Sequence, residues 1–160
     1  NRLGVEVRSH DFSISGEPAV WKRPAASDAD VNAGVEMVAL ERLLAEADVV
    51  SLHPRVTEET TGMINAETLA AMKPGSTLIN TARGPLVDYD ALIAALQSGH
   101  LRGAMLETFP IEPVPLDSPL LTLPNVTLTP HIAGVTQEAN VRVSAVTVEN
   151  VRQELAHART

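Results

Sequence analysis

Short apolar runs of strand length alternate along the chain with stretches whose apolar residues recur every three or four positions, the mark of strands set against helices. Strands are expected near Val5–Arg8, Val35–Val38, Val49–His53, Thr77–Asn80, Gly103–Leu106 and Val126–Thr129, each ending close to a polar or Pro-containing turn. Between them, Leu40–Ala47 reads as a short amphipathic helix. Asn65–Met72 reads as a second, capped by Asn65 and stopped by Lys73-Pro74-Gly75. Asp88 suits the N-cap of a helix running through Ser98, with Gly99 just past its end. From Thr136 to about Ala158, Val141, Ala145, Val148, Val151 and Leu155 share one face of a long helix, which predicts that this face enters the core.

Such alternation points to an α/β fold: βαβ units around a parallel sheet buried on both faces and flanked by helices. Residues Phe12–Gly34, with Pro18, Pro24 and several Ser and Ala, are the least periodic and predict a loop carrying one short helix that ends at Gly34. Pro110, Pro113, Pro115, Pro119 and Pro124 crowd one segment and predict a structured but irregular connection. No internal repeat or low-complexity tract interrupts the pattern.

Composition narrows the picture. A chain of 160 residues, 44% of them hydrophobic, suits one domain. Because Phe12, Trp21, Tyr89 and Phe109 are its aromatic residues, the core must rest on Leu, Val, Ile and Ala. A net charge of −8 without clustered Lys and Arg disfavours a nucleic-acid partner. No apolar run approaches the roughly 18 residues that a membrane span requires, and no signal-peptide layout opens the chain, so the expectation is a soluble, cytoplasmic protein without a membrane partner. The absence of Cys excludes disulfides, a catalytic thiol and thiolate metal sites. His10, His53, His100, His131 and His157 lack paired metal-ligand spacing, so no metal site is expected.

Three segments carry candidate chemistry: Asn80-Thr81-Ala82-Arg83-Gly84, Glu107-Thr108-Phe109-Pro110-Ile111-Glu112-Pro113 and Pro130-His131-Ile132-Ala133-Gly134. Singly they are weak, since a lone His beside a Pro is more often a satisfied loop residue than a catalyst. In order they offer a cation, a carboxylate and an imidazole, each beside a Gly or Pro turn, and this is an oxidoreductase pattern. Together with Asp48-Val49-Val50-Ser51-Leu52-His53 and Met72-Lys73-Pro74-Gly75, the stretch from Leu3 to about Leu155 closely resembles the NAD-binding domain of D-isomer-specific 2-hydroxyacid dehydrogenases.

Reducing a 2-keto acid requires a cation for its carboxylate, an acid for its carbonyl oxygen and a hydride donor. Arg83 suits the first, through a planar donor fork that stays charged. His131 suits the second, and Glu112 suits the partner that holds its ring. The resemblance implies the same three roles. It also disfavours formate oxidation, because formate dehydrogenases of the superfamily have Gln where this chain has Glu112.

Hydride must come from a cofactor, since no side chain can deliver it. Asp11 follows the first expected strand, where a carboxylate accepts from ribose hydroxyls and repels a 2′-phosphate. NAD is therefore favoured, although Arg8, His10 and Arg55 nearby leave NADP open. The resemblance implies that His53, Pro54 and Thr57 lie beneath the adenine and ribose, and that Thr81, Ala82, Arg83, His131 and Gly134 belong to the nicotinamide side. Glu107 stands where the family usually has an Asp expected to bond the carboxamide. The Pro of Pro54-Arg55-Val56-Thr57 is displaced by one position from the family's pattern.

Members of the family open this domain with a strand and a G-x-G-x-x-G loop, and the sequence contains no such loop. The expectation is a partial Rossmann-type domain without its first βα unit, from a full-length homodimer that also carries a substrate domain. In a 3-2-1-4-5-6 strand order the first strand is central, so Val5–Arg8 and Val49–His53 would each lose a neighbour, leaving the chain unstable and inactive alone. Two rival readings stand beside the enzyme: a dehydrogenase-like NAD-binding corepressor or binding module, and an inactive remnant.

Overall fold

The computed structural model describes residues 7–9 and 35–157. Its strands are β1 (Val7–Ser9), β2 (Val35–Met37), β3 (Val49–Leu52), β4 (Thr77–Asn80), β5 (Gly103–Leu106) and β6 (Val126–Leu128). All pairings are parallel, and the fold is the Rossmann-like α/β expected. β1 and β2 form one sheet, while β3-β4-β5-β6 form another in chain order. Among the described residues no strand joins β1 to β3, the position that a central first strand occupies in this topology. Asp11, the expected Phe12–Gly34 loop, and Val5 and Glu6 of the first expected strand lie outside the described residues.

Among the described residues four helices punctuate the strands: α1 (Leu40–Glu46), α2 (Ala66–Ala71), α3 (Tyr89–Gln97) and α4 (Gln137–His157). Local chemistry fixes their ends. Asn65 accepts from the backbone N–H of Glu67 and Thr68 while the Thr68 hydroxyl accepts from Asn65 N–H, a reciprocal capping box. The Asp88 carboxylate accepts from Ala91 N–H to start α3, and Gly99 takes φ +75° just past its end, a conformation costly for any residue with a Cβ. Two 3₁₀ turns, Gly84–Leu86 and Pro119–Thr122, each use Pro in the first turn, where the lost N–H has no helical partner to miss.

Leu44 of α1, Leu69 of α2 and Leu92 and Leu96 of α3 are buried with Val50, Leu52, Leu78, Ala104 and Leu106 of the larger sheet in one apolar cluster. Among the described residues the helices therefore cover the sheet on one face, not on the two expected. Val49 and Met105, pointing the other way, are 50% and 47% exposed. The cause is topological: right-handed crossovers that all step in the same direction, from β3 to β6, deliver their helices to the same side.

A second expectation also fails. None of the α4 residues is buried, and Val141, Val148, Val151 and Leu155 of the supposed core face stand exposed. Their spacing correctly gives an apolar stripe on a helix. Periodicity does not say which surface covers such a stripe, and no described residue does.

Truncation inside the cluster should cost far more than loss of a cap. Leu92→Ala is expected to destabilise by about 2–5 kcal/mol, and Asn65→Ala by about 0.5–2 kcal/mol. Denaturant unfolding of both variants checks the order, and a larger loss for Asn65→Ala would contradict this account of the core.

Candidate active site

Leu52, Asn80, Leu106 and Leu128 stand side by side in register across β3, β4, β5 and β6. The next residues, His53, Thr81, Glu107 and Thr129, therefore leave the sheet at one rim, the carboxyl edge where ligands bind in open α/β sheets. The ladder runs one step beyond the strands, with Glu107 N–H donating to Asn80 O and Thr129 N–H to Leu106 O, both at 3.0 Å.

Asn80 shapes the exit from β4. Fully buried, it donates from Nδ2 to the Arg83 carbonyl at 3.0 Å and accepts at Oδ1 from Ala82 N–H at 3.1 Å, which folds residues 81–83 into a tight turn. Arg83 leaves this turn exposed, its Nη1 donating to Ala82 O at 2.6 Å. The following Gly84 is buried against the neighbouring exit. A Cβ there would overlap the Phe109 carbonyl and the Pro110 nitrogen, so only Gly lets the Arg83 turn approach the segment that leads to Glu112.

That segment is tied down from two sides. Tyr89, at the start of α3, donates its phenol to the Thr108 carbonyl, and its ring lies tilted against Phe109 at 6.3 Å. Burial pushes the Tyr89 phenol up to about 12, with the charge of Glu112 adding and a hydrogen bond with Asn80 opposing, so the group remains a donor at neutral pH. Glu112 accepts at Oε1 from Phe109 N–H at 2.8 Å, and its Oε2 meets His131 Nδ1 at 2.9 Å. The hydrogen bond with His131, the Phe109 N–H and, more weakly, the charges of His131 and Arg83 hold the Glu112 carboxyl below its ordinary value.

His131 follows β6 with φ +55°, a left-handed backbone rare for a residue with a Cβ. Glu107, buried at the end of β5, accepts at one oxygen from Ile132 N–H at 2.9 Å and from Ala133 N–H at 2.6 Å. The His131 and Glu112 side chains remain 43% and 38% exposed, accessible to a ligand. Beside them opens a cavity of about 410 Å³ lined by Phe109, Glu112, Val114, Leu128 and His131, among others. Arg83, Glu112 and His131 thus follow three neighbouring strand exits of one rim, with Glu112 against His131 and within reach of the Arg83 charge.

Residues 10–133 match the family described as D-isomer specific 2-hydroxyacid dehydrogenase, NAD binding domain. The chain belongs to the D-isomer specific 2-hydroxyacid dehydrogenases. It is 46% identical over 153 residues to an (S)-sulfolactate dehydrogenase of Chromohalobacter salexigens, covering 96% of this chain and 46% of that protein. A glyoxylate reductase of Korarchaeum cryptofilum is 48% identical over 150 residues, covering 94% and 45%. Among solved structures, a D-isomer specific 2-hydroxyacid dehydrogenase from Xanthobacter autotrophicus Py2 in complex with NADPH and MES superposes with a TM-score of 0.77 at 38% identity, covering 98% of this chain and 59% of that one. The chain spans about half the length of the curated relatives it matches.

In this dehydrogenase domain the rim suits one half of a nicotinamide cofactor. Thr81, His131 and Gly134 are exposed there, and a Cβ on Gly134 would meet no atom within 4 Å, so the floor beside His131 is open. His53, Pro54 and Thr57 stand at the β3 end of the same rim. His53 Nε2 lies 3.0 Å from Ser51 Oγ, and the Thr57 hydroxyl braces its own turn through Thr60. Among the described residues no group of His, Cys, Asp and Glu could hold a metal ion, and no helix is long and apolar enough to cross a membrane.

Sequence reasoning quoted Asn80 only as part of a motif and passed over Tyr89. For Asn80 a signal existed: a polar side chain at the inward-facing last position of a strand must find partners. For Tyr89, beside a cap, none did.

Two outcomes test this geometry. The Glu112 carboxyl should titrate below 4.5 by carbon-13 NMR, and His131→Ala should return it upward. Because the folded value is the lowered one, the stability that this pair contributes is present above the unfolded value and lost as pH falls through the folded one. An unmoved titration would count against the pair. Gly84→Ala should destabilise by about 1–3 kcal/mol through overpacking, so an unchanged unfolding midpoint would contradict the close approach.

Proposed function

We propose that this domain, within its full-length protein, serves the NAD(P)-dependent interconversion of a 2-keto acid and a D-2-hydroxy acid, of the glyoxylate/hydroxypyruvate reductase or phosphoglycerate dehydrogenase kind. The observation that carries the reading is the 2.9 Å contact between His131 Nδ1 and Glu112 Oε2 beside Arg83. It commits one ring nitrogen to the carboxylate, while Nε2 makes no hydrogen bond among the described residues. In the reductive direction, Nε2 gives its proton to the carbonyl oxygen as the carbonyl carbon becomes tetrahedral; in the oxidative direction it takes that proton back. Glu112 holds the ring through Nδ1. The exposed Arg83 guanidinium binds the substrate carboxylate in a two-pronged grip.

A bound nicotinamide supplies or accepts the hydride. The residues to hold it are those of the rim: Thr81, Ala82, Arg83, His131 and Gly134 on the nicotinamide side, and His53, Pro54 and Thr57 toward the adenosine. Asp11 favours NAD, and likeness to a relative solved with NADPH keeps NADP in scope. The same reading carries a substrate domain closing over the rim, a cytoplasmic homodimer, and a small-molecule acid as the partner. A net charge of −8 disfavours nucleic acid.

In the full-length protein, His131→Ala should lower kcat by about 10²–10⁴-fold, the usual contribution of a positioned proton donor, while NADH affinity stays nearly intact. Preserved turnover would sink the assignment. Glyoxylate, hydroxypyruvate and phenylpyruvate tested with NADH should identify at least one oxidant of the cofactor. NADH binding without turnover on any of them would favour a binding module instead.

A further inference from the structure

Glu107 is the buried carboxylate of this rim. It sits 6% exposed at the end of β5, where an ionised group must be fully engaged to be tolerated. One of its oxygens accepts from two successive backbone N–H groups, those of Ile132 and Ala133, at 2.9 and 2.6 Å. Two consecutive amides converging on one anionic atom form a backbone nest, a strong grip on the chain that supplies them. That chain begins at His131, whose left-handed φ of +55° is costly for a non-glycine residue and persists only where the surroundings over-determine it. Five residues after Glu107, the same segment supplies Glu112, which takes the imidazole itself.

We propose that Glu107 is a positioning residue for His131, fixing the backbone of residues 131–133 from one side while Glu112 fixes the ring from the other. The two carboxylates divide the work because a ring held at Nδ1 alone still moves with its own backbone. The Glu107 side chain spans from the end of β5 to the amides of Ile132 and Ala133 beyond β6. The bonded oxygen of Glu107 then holds the His131 turn. The inference rests on the reading of His131 as the proton-transferring group.

The test uses the full-length protein with Glu107→Ala, Glu107→Gln and, as a control, His131→Ala. Glu107→Ala is expected to lower kcat about tenfold or more while NADH affinity stays within about threefold, since a small misplacement of a reacting group costs rate without costing binding. The Glu112 carboxyl, followed by carbon-13 NMR, should titrate higher in Glu107→Ala as the imidazole withdraws from it. Glu107→Gln keeps an acceptor of the same reach and should retain kcat within about threefold. Unchanged kcat in Glu107→Ala would overturn the proposal, as would an equal loss of NADH affinity, which would make Glu107 a cofactor ligand. Should Glu107→Ala fail to fold, Glu107→Asp keeps the charge but withdraws it by one methylene, and must show the same kcat loss with NADH affinity kept. If His131→Ala retains turnover, the proton-transfer reading fails; the Glu112 titration in Glu107→Ala still decides the positioning role, because it needs no turnover.

Discussion

In a parallel ladder the backbone hydrogen bonds are evenly spaced, so alignment at one level fixes alignment at every other. Once Leu52, Asn80, Leu106 and Leu128 share a level, the residues after them have no choice of where to emerge. The buried leucines hold that level. Shifting any strand by one residue would turn Leu52, Leu78 or Leu106 out of the apolar cluster and bring Ser51, Ile79 or Met105 in. The site is thus a by-product of the same register that the core enforces, and three distant stretches of sequence meet because their strands cannot slip.

Beyond the rim, order passes from backbone ladder to side chains. Asn80 holds the Arg83 turn, Tyr89 holds the Thr108 carbonyl, and Glu107 and Glu112 hold opposite sides of His131. Gly84 sets how near the first of these turns comes to the second. Asn80 pins the exit of its own strand while Tyr89 and Glu107 pin neighbouring segments, so Arg83 and His131 stay exposed while Asn80 and Glu107 beneath them are buried. That separation lets a charged site sit on an apolar domain without desolvating its own chemistry.

Much of this was legible in the residues. Helix boundaries at Asn65 and Asp88 followed from side chains that can accept backbone N–H groups, and strand positions followed from apolar runs ended by polar or Pro turns. The convergence of Arg83, Glu112 and His131 followed from their places just beyond strand ends. What could not be read was what depends on contacts remote in sequence. The valine stripe of α4 is real, but its cover is not a property of the stripe. That the described helices share one face of the sheet follows from crossover direction, which no local pattern encodes. The two amides that Glu107 engages, 25 and 26 residues away, likewise leave no mark in its own neighbourhood.

The larger sheet also has a history written in its order. β4, β5 and β6 each pair with the strand made just before, so each of them finds its partner already beside it on the growing chain. Loop closures stay within single crossovers, the low-separation contacts that form quickly. Synthesis can therefore assemble the rim in chain order, Arg83 before Glu112 before His131. His131 enters last, onto a scaffold whose supports are already in place.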